Sequence, residues 1–125
     1  MKTILISTFA AALLLLAGCA SPAPDPRLTL APGLKGKIRV EPLVVRVNDR
    51  GVTDARLVVH NTDAGKTRAF EYRVRWADGR GFPIDTVTGN WSRFAVPPGA
   101  AHTLSVTGPS PSAAGFNIYL RMAEN

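Results

Sequence analysis

The chain has 125 residues, a formal net charge of +6 and a single cysteine. This length allows one small domain, and a lone thiol excludes an intramolecular disulfide. Two histidines are present, and no cysteine or carboxylate stands at the spacing of a zinc site, which takes three or four ligands. Composition therefore supports neither a disulfide scaffold nor a metal centre.

Residues 1–18 have the order of a secretory signal peptide: a positive charge at Lys2, an apolar run over residues 4–16, and small residues at the end. The run is shorter than the roughly 20 residues that a membrane-spanning helix needs. Its end, Leu16-Ala17-Gly18-Cys19, resembles the lipobox of bacterial lipoproteins. The resemblance implies that Cys19 receives a diacylglycerol and that residues 1–18 are removed. Two or three acyl chains anchor a protein stably in a membrane.

The residues after the lipidated cysteine direct sorting in such lipoproteins. An aspartate there favours retention in the inner membrane, whereas Ala20-Ser21 resembles the default pattern of transfer onward. The resemblance thus implies a lipid anchor through acylated Cys19 at the periplasmic face of the outer membrane.

Residues 19–36 are interpreted as the lipidated N-terminus and a proline-rich tether. Alternating prolines from Pro22 to Pro26 prevent a helix or a central strand. At about 3.1 Å per residue, an extended tether of this length reaches roughly 50 Å from the membrane. The alternative for Leu28–Leu30, which alternates Leu-Thr-Leu, is a short edge strand packed on the domain. Residues 37–125 are assigned to that domain.

The clearest strand covers residues 68–76, and apolar and charged side chains alternate strictly over residues 70–76, as on a strand with one buried face. An Asp78-Gly79 turn predicts a hairpin, and Pro83 places the next short strand at a sheet edge. The inward residues are Phe70, Tyr72, Val74 and Trp76, and the outward residues are Glu71, Arg73 and Arg75.

The rest of the domain shows the same β pattern, with no stretch of helical period. Turn signals at regular spacing between six or seven short strands favour a sandwich or a barrel. Residues 37–47 place Leu43, Val45 and Val47 on one face, with a kink or edge at Pro42. The other strands are predicted over residues 53–60, 91–96, 102–107 and 115–122. The predicted core aromatics, which bury about 150–250 Å² each, are Phe70, Tyr72, Trp76, Trp91 and Phe116.

Several segments together resemble the YcfL family of small periplasmic lipoproteins, whose domain has no assigned function. They are Val58-Val59-His60-Asn61, the run from Tyr72 to Gly81, Trp91, Val96-Pro97-Pro98-Gly99 and the run from Phe116 to Leu120. The similarity covers most of residues 38–121, although many members have tyrosine at Ala77. It implies a small antiparallel immunoglobulin-like β-sandwich of about seven strands. It also implies a role in the cell envelope, because these genes often lie near a lipoprotein activator of peptidoglycan synthases.

Residues that could carry catalysis are few. His60 and His102 fall at strand or loop ends, and the aspartates fall mostly in turns, where they hydrogen-bond the backbone. No nucleophile elbow or dinucleotide fingerprint occurs, so we expect neither an enzyme nor a cofactor. The alternative is a small-ligand or enzymatic pocket at one end of the sandwich, where Trp91, His102 and residues 79–85 would converge.

Outward arginines are the one feature that suggests a binding surface, and Arg46, Arg56, Arg73 and Arg75 are predicted to share an outward sense. Such a face could meet an envelope protein, a cell-wall component or anionic lipid. Nucleic acid is not expected, because the chain is exported and has no reader motif. The competing explanation is that arginines simply solvate the wet side of a sheet. The sequence thus favours a lipid-anchored, non-enzymatic binding module.

Overall fold

The computed structural model describes residues 25–86 and 90–124. The predicted signal peptide over residues 1–18 and the predicted lipidation site Cys19 lie outside these residues. The described chain forms two packed β-sheets, so the prediction of an all-β sandwich is confirmed. Within the described ranges, no helix is long and apolar enough to cross a membrane.

Nine strands are found in the described chain, more than the seven predicted, because the first strand lies in the predicted tether and residues 37–47 form two strands. The strands are β1 (Leu28–Leu30), β2 (Ile38–Val40), β3 (Val44–Val47), β4 (Thr53–Asn61), β5 (Arg68–Ala77), β6 (Pro83–Ile84), β7 (Ser92–Val96), β8 (Ala101–Thr107) and β9 (Gly115–Met122). A short 3-10 helix, Pro32–Leu34, follows β1.

The five-stranded sheet is centred on β5. One side of β5 pairs with β9, which in turn pairs with β1, and the other side pairs with β6 and with β7. The β1–β9 pair is parallel, whereas β5 pairs antiparallel with its neighbours. The four-stranded sheet is centred on β4, with β8 along one side and both β2 and β3 along the other.

The core lies between the sheets and follows the predicted alternation of β4 and β5. Phe70 of β5 is buried in one cluster with Leu57 and Val59 of β4, whereas Val74 and Trp76 of β5 are buried in a second cluster with Ala55 of β4. The remaining predicted aromatics Tyr72 and Phe116 are partly buried against the same core. Phe94 of β7 is buried and was not among the predicted core aromatics.

The prediction of Trp91 as a core aromatic is wrong, and Val47 is more exposed than Leu43 and Val45, with which it was predicted to share a face. Trp91 is only partly buried and stacks on Arg121, a residue of the outward row of β9. Side chains alternate across a strand, and buried Phe94 and Val96 of β7 therefore put odd-numbered Trp91 and Arg93 on the opposite face. Val47, at the end of β3, is 67% exposed.

The segment from residue 28 to residue 36 folds onto the domain. β1 pairs with β9, which is the edge-strand alternative for Leu28–Leu30. Leu34 is only 1% exposed and joins the core cluster that contains Phe70. The folded unit thus includes residues that the division at residue 36 assigned to the tether, because Leu28 and Leu34 bury apolar surface despite the flanking prolines.

Buried Asn61 ties β4 to β7 across the edge of the sandwich. Its amide nitrogen Nδ2 donates to the carbonyl oxygens of Lys66 at 2.8 Å and Val96 at 3.0 Å. Its side-chain oxygen accepts the N–H of Asp63 at 3.0 Å. These bonds satisfy a buried polar group that would otherwise be costly, and they fix the end of β7, the strand that follows Trp91.

Candidate functional site

The four predicted surface arginines do not share one face. Arg46 and Arg56 lie on β3 and β4 of the four-stranded sheet, whereas Arg73 and Arg75 lie on β5 of the five-stranded sheet. Because the two sheets pack through their inner faces, their outer faces point in opposite directions. The prediction of one shared basic face is therefore wrong, because the four arginines lie on two separate surfaces.

The outer face of the five-stranded sheet collects arginines from three neighbouring strands. Arg73 of β5 lies opposite Tyr119 of β9. Glu71 of β5 lies between Arg121 of β9 and Arg93 of β7. The antiparallel register places these side chains in rows across the sheet, where directly opposed residues interact.

Aromatic rings lie between these arginines. The guanidinium carbon of Arg121 is 3.7 Å from the ring centroid of Trp91, and that of Arg73 is 4.8 Å from the same centroid. Arg73 is also 5.1 Å from the ring centroid of Tyr119, and Arg75 is 5.8 Å from it. Each distance is within the range of a cation–π contact. We call this surface, formed by Arg73, Arg75, Trp91, Tyr119 and Arg121, the aromatic–arginine face.

Carboxylates neutralise little of this surface. Among the described strands, the outward rows of β5, β7 and β9 hold one carboxylate, Glu71. Glu71 accepts a hydrogen bond from Arg121 at 3.4 Å. The Nε atoms of Arg73 and Arg121 are buried with no hydrogen-bond partner among the described residues. Because these two Nε atoms are buried, only the terminal N–H groups of Arg73 and Arg121 can meet an anionic group, and guanidinium geometry matches phosphate or carboxylate.

The outer face of the four-stranded sheet has a different charge pattern. Arg46 is 67% exposed and its Nε lies 4.0 Å from a carboxylate oxygen of Asp54. His60 Nε2 is 2.9 Å from a carboxylate oxygen of Glu41. Two basic groups of this face, Arg46 and His60, thus lie beside carboxylates, and the face has no aromatic ring against an arginine among the described contacts.

The predicted convergence of Trp91 and His102 with residues 79–85 does not occur. His102 stacks on Phe94 with ring centroids 4.9 Å apart, where β7 and β8 meet, away from the arginines that contact Trp91. A cleft of about 510 Å³ does lie at the predicted end, and residues Pro83 to Thr86 form part of its wall with Trp76 and Phe116. Neither histidine lines the cleft. In the described ranges, no group of three or more histidine, cysteine or acidic residues could hold a metal ion.

The described chain begins beside the aromatic–arginine face. Asn117, the register partner of Arg75, donates from Nδ2 to the carbonyl oxygen of Pro26 at 2.8 Å. Arg27 donates from Nε and a terminal nitrogen to the Asp25 carboxylate at 3.0 and 2.8 Å. These bonds lower the pKa of Asp25, which therefore stays ionised where the tether meets the domain.

The family model of a protein family of unknown function, DUF1425, matches residues 28–122. The chain belongs to this family. No curated protein matches it. The chain is similar to the crystal structure of Campylobacter jejuni cj0090, with 19% identity, a TM-score of 0.69 and coverage of 79% of this chain and 100% of that one. A family member from Shewanella sp. pv-4 matches at 17% identity and a TM-score of 0.60, covering 70% of this chain and 80% of that one. At these identities the likeness concerns the fold.

Proposed function

We propose that this protein is a non-enzymatic binding module of the cell envelope, anchored to the outer membrane through acylated Cys19 and facing the periplasm. The observation that carries the binding role is the aromatic–arginine face. Its rings contribute little to the core, and its cations are scarcely neutralised by Glu71. A surface that only solvates the sheet has no need to hold partly buried rings between arginines.

We also propose that the chain belongs with the YcfL lipoproteins, on the basis of some of the same residues. The segments that resemble the YcfL family include the run from Tyr72 to Gly81, Trp91 and the run from Phe116 to Leu120. These segments supply β5, β9 and the ring between Arg73 and Arg121. We therefore place the chain with the YcfL lipoproteins, and the cell-envelope association of that family agrees with a lipid anchor.

Lipidation is tested by Cys19→Ser. Radiolabelled palmitate should label the wild-type chain and fail to label the variant, because the acyl acceptor is the only thiol in the sequence. On fractionation of the cell envelope, the wild-type protein should be found in the outer-membrane fraction, and the variant should be absent from it. Acyl labelling of Cys19→Ser, or wild-type protein that never enters the outer-membrane fraction, would contradict the anchor.

The binding role is tested by photocrosslinking in living cells. A benzophenone amino acid at Tyr119 probes the aromatic–arginine face, and one at Thr103 of β8 probes the opposite sheet as a matched control. Crosslinks to envelope components are expected from residue 119 and not from residue 103. Equal yields at both positions, or none at residue 119, would argue against a binding face on this sheet.

The cleft beside Trp76 supports a second candidate, a small-ligand site at the loop end of the sandwich. Its walls combine the apolar Ile84 and Phe116 with the oppositely charged Arg75 and Asp85. A small ligand with a large apolar surface suits this lining. Titration with an apolar, environment-sensitive fluorescent dye should give saturable binding that Ile84→Trp blocks by filling the cleft. Binding unchanged by Ile84→Trp would remove this candidate.

A further inference from the structure

We infer that the aromatic–arginine face rests on the anionic phospholipid headgroups of the membrane that holds the Cys19 acyl chains. This inference rests on the proposed lipid anchor and names the ligand chemistry for the proposed binding face. The ligand is the phosphate of an acidic phospholipid, presented as a surface. The point at which the tether leaves the domain, the length of the tether and the charge of the face each support it.

The tether leaves the domain at this face. The carbonyl oxygen of Arg27 accepts the N–H of Ile118 at 2.8 Å, so the chain is held against β9 from residue 27 onward. One residue earlier, the carbonyl oxygen of Pro26 accepts a hydrogen bond from the side chain of Asn117 at 2.8 Å. Asn117 stands in the outward row of β9, opposite Arg75. The segment that leads back to residue 19 therefore joins the domain next to Arg75.

The tether is also short. Asp25 is the sixth residue after Cys19, and six residues span about 20 Å at roughly 3.1 Å each. A domain of about 100 residues has a radius of gyration near 13 Å and is therefore wider than the tether is long. Folding of residues 28–36 onto the domain thus removes most of the roughly 50 Å of reach expected from an extended segment. The domain stays at the membrane surface, at a high effective concentration relative to the headgroups.

The charge of the face is complementary to acidic lipid. Arg73, Arg75 and Arg121 of the face and the neighbouring Arg93 occupy the outward rows of β5, β7 and β9, against the single carboxylate of Glu71. Each basic residue near an anionic membrane strengthens attachment by about fivefold. On the opposite sheet, Arg46 lies near Asp54, which reduces its attraction to a phosphate.

The two rings suit the same boundary. Tryptophan and tyrosine are enriched at membrane interfaces, where an apolar body and a polar tip meet the headgroup region. Trp91 and Tyr119 are partly buried in the described structure, and the stacked guanidinium groups of Arg73 and Arg121 flank them. Arginine stems add apolar surface while their charged ends reach the phosphates.

The test attaches the mature chain to vesicles through its own anchor position. Residues 19–125, which include every described residue, are coupled by the single thiol of Cys19 to a maleimide phospholipid. The vesicles contain phosphatidylcholine alone or phosphatidylcholine with phosphatidylglycerol. A phospholipid with a nitroxide on its headgroup quenches tryptophan that reaches the surface. Trp76 is 2% exposed in the core, so Trp91 should report docking, and Trp91→Phe should abolish the response.

Quenching is expected in the phosphatidylglycerol vesicles and not in phosphatidylcholine alone, and molar salt should reverse it. Arg73→Gln with Arg75→Gln should lower the ratio of docked to undocked protein by about 25-fold, fivefold for each charge. The matched control is Arg46→Gln with Arg56→Gln, which removes the same charge from the opposite sheet and should leave the ratio within about twofold. The two double variants should unfold at the same urea concentration as each other, which would show that both retain the fold.

Equal quenching in the two kinds of vesicle, or equal losses in the two double variants, would overturn the inference. So would the absence of quenching together with Tyr119 crosslinks to protein or peptidoglycan in cells. Acyl labelling of Cys19 shows whether the docking proposal or the lipid-anchor proposal has failed. A labelled Cys19 without lipid-dependent quenching overturns only the docking, whereas an unlabelled Cys19 overturns the anchor on which the docking rests.

Discussion

The inner and outer faces of the five-stranded sheet each hold one tryptophan, in different surroundings. Trp76 is 2% exposed, and its ring centroid lies 5.3 Å from that of Phe116. Trp91 is partly exposed, and its neighbours are the guanidinium groups of Arg73 and Arg121. The inner ring is held by close packing with other apolar groups, whereas the outer ring is held by cations. The same residue type therefore serves stability on one side of the sheet and surface chemistry on the other.

The difference also separates what each face tolerates. Removing side-chain volume from a close-packed interior lowers the free energy of unfolding. Removing a stacked ring from the outer face lowers it less, because solvent replaces part of each contact. Substitutions on the two faces should therefore divide into effects on folding and effects on binding.

Trp76→Ala should have the largest effect, a loss of about 3–5 kcal/mol in the free energy of unfolding, because it leaves a cavity among Val74, Ile118 and their neighbours. Urea unfolding followed by circular dichroism measures it. Trp76→Phe, which keeps a ring, should recover part of the loss. A midpoint unchanged in Trp76→Ala would mean that the inner face does not depend on this ring.

Trp91→Ala should cost less, about 1–2 kcal/mol, since each of its two cation–π contacts contributes roughly 0.5–1 kcal/mol. The same unfolding measurement applies. Trp91→Phe retains a ring for Arg73 and Arg121 and should restore most of the difference. A loss as large as that of Trp76→Ala would remove the distinction between the two faces.

Glu71→Gln should have the smallest effect on stability, at most about 1 kcal/mol, because a partly exposed ion pair contributes little. The residue accepts hydrogen bonds from Arg121 at 3.4 Å and from the N–H of Glu124 at 3.3 Å. The variant removes the one carboxylate in the outward rows and should therefore strengthen association with phosphatidylglycerol vesicles. Weakened association would show that Glu71 positions Arg121 more than it neutralises it.

Much of this fold follows from strict alternation. The pattern over residues 68–76 placed Phe70, Val74 and Trp76 correctly, because a strand with one buried face has a period of two. Asp78-Gly79 correctly predicted a turn, in which a side-chain oxygen of Asp78 accepts the N–H of Arg80 at 2.9 Å. The limits of these elements depend on neighbouring residues alone, so they are visible in the sequence.

The candidate site was harder to predict, because it depends on pairing between distant strands. Arg73 and Arg46 both face outward, and only the strand order assigns them to different sheets. The sequence does carry one signal, because alternation counted back from Val96 makes Phe94 inward and Trp91 outward. Hydrophobicity alone predicts a buried Trp91, because large aromatic side chains are usually buried, whereas its position relative to Val96 predicts the outer face. The contact between Trp91 and Arg121 requires β7 and β9 to flank β5, which no local pattern specifies.

The parallel pairing of β1 with β9 has a consequence for the order of folding. Leu28, near the start of the domain, pairs with Ile118, near its end, and β5 also needs β9 to complete its sheet. Pairings between distant parts of a chain form slowly, because a long loop must close first. Because a chain is synthesised from its N-terminus, the five-stranded sheet cannot be completed until β9 has been made. The last strand thus delays completion of the sheet until nearly the whole domain has been synthesised.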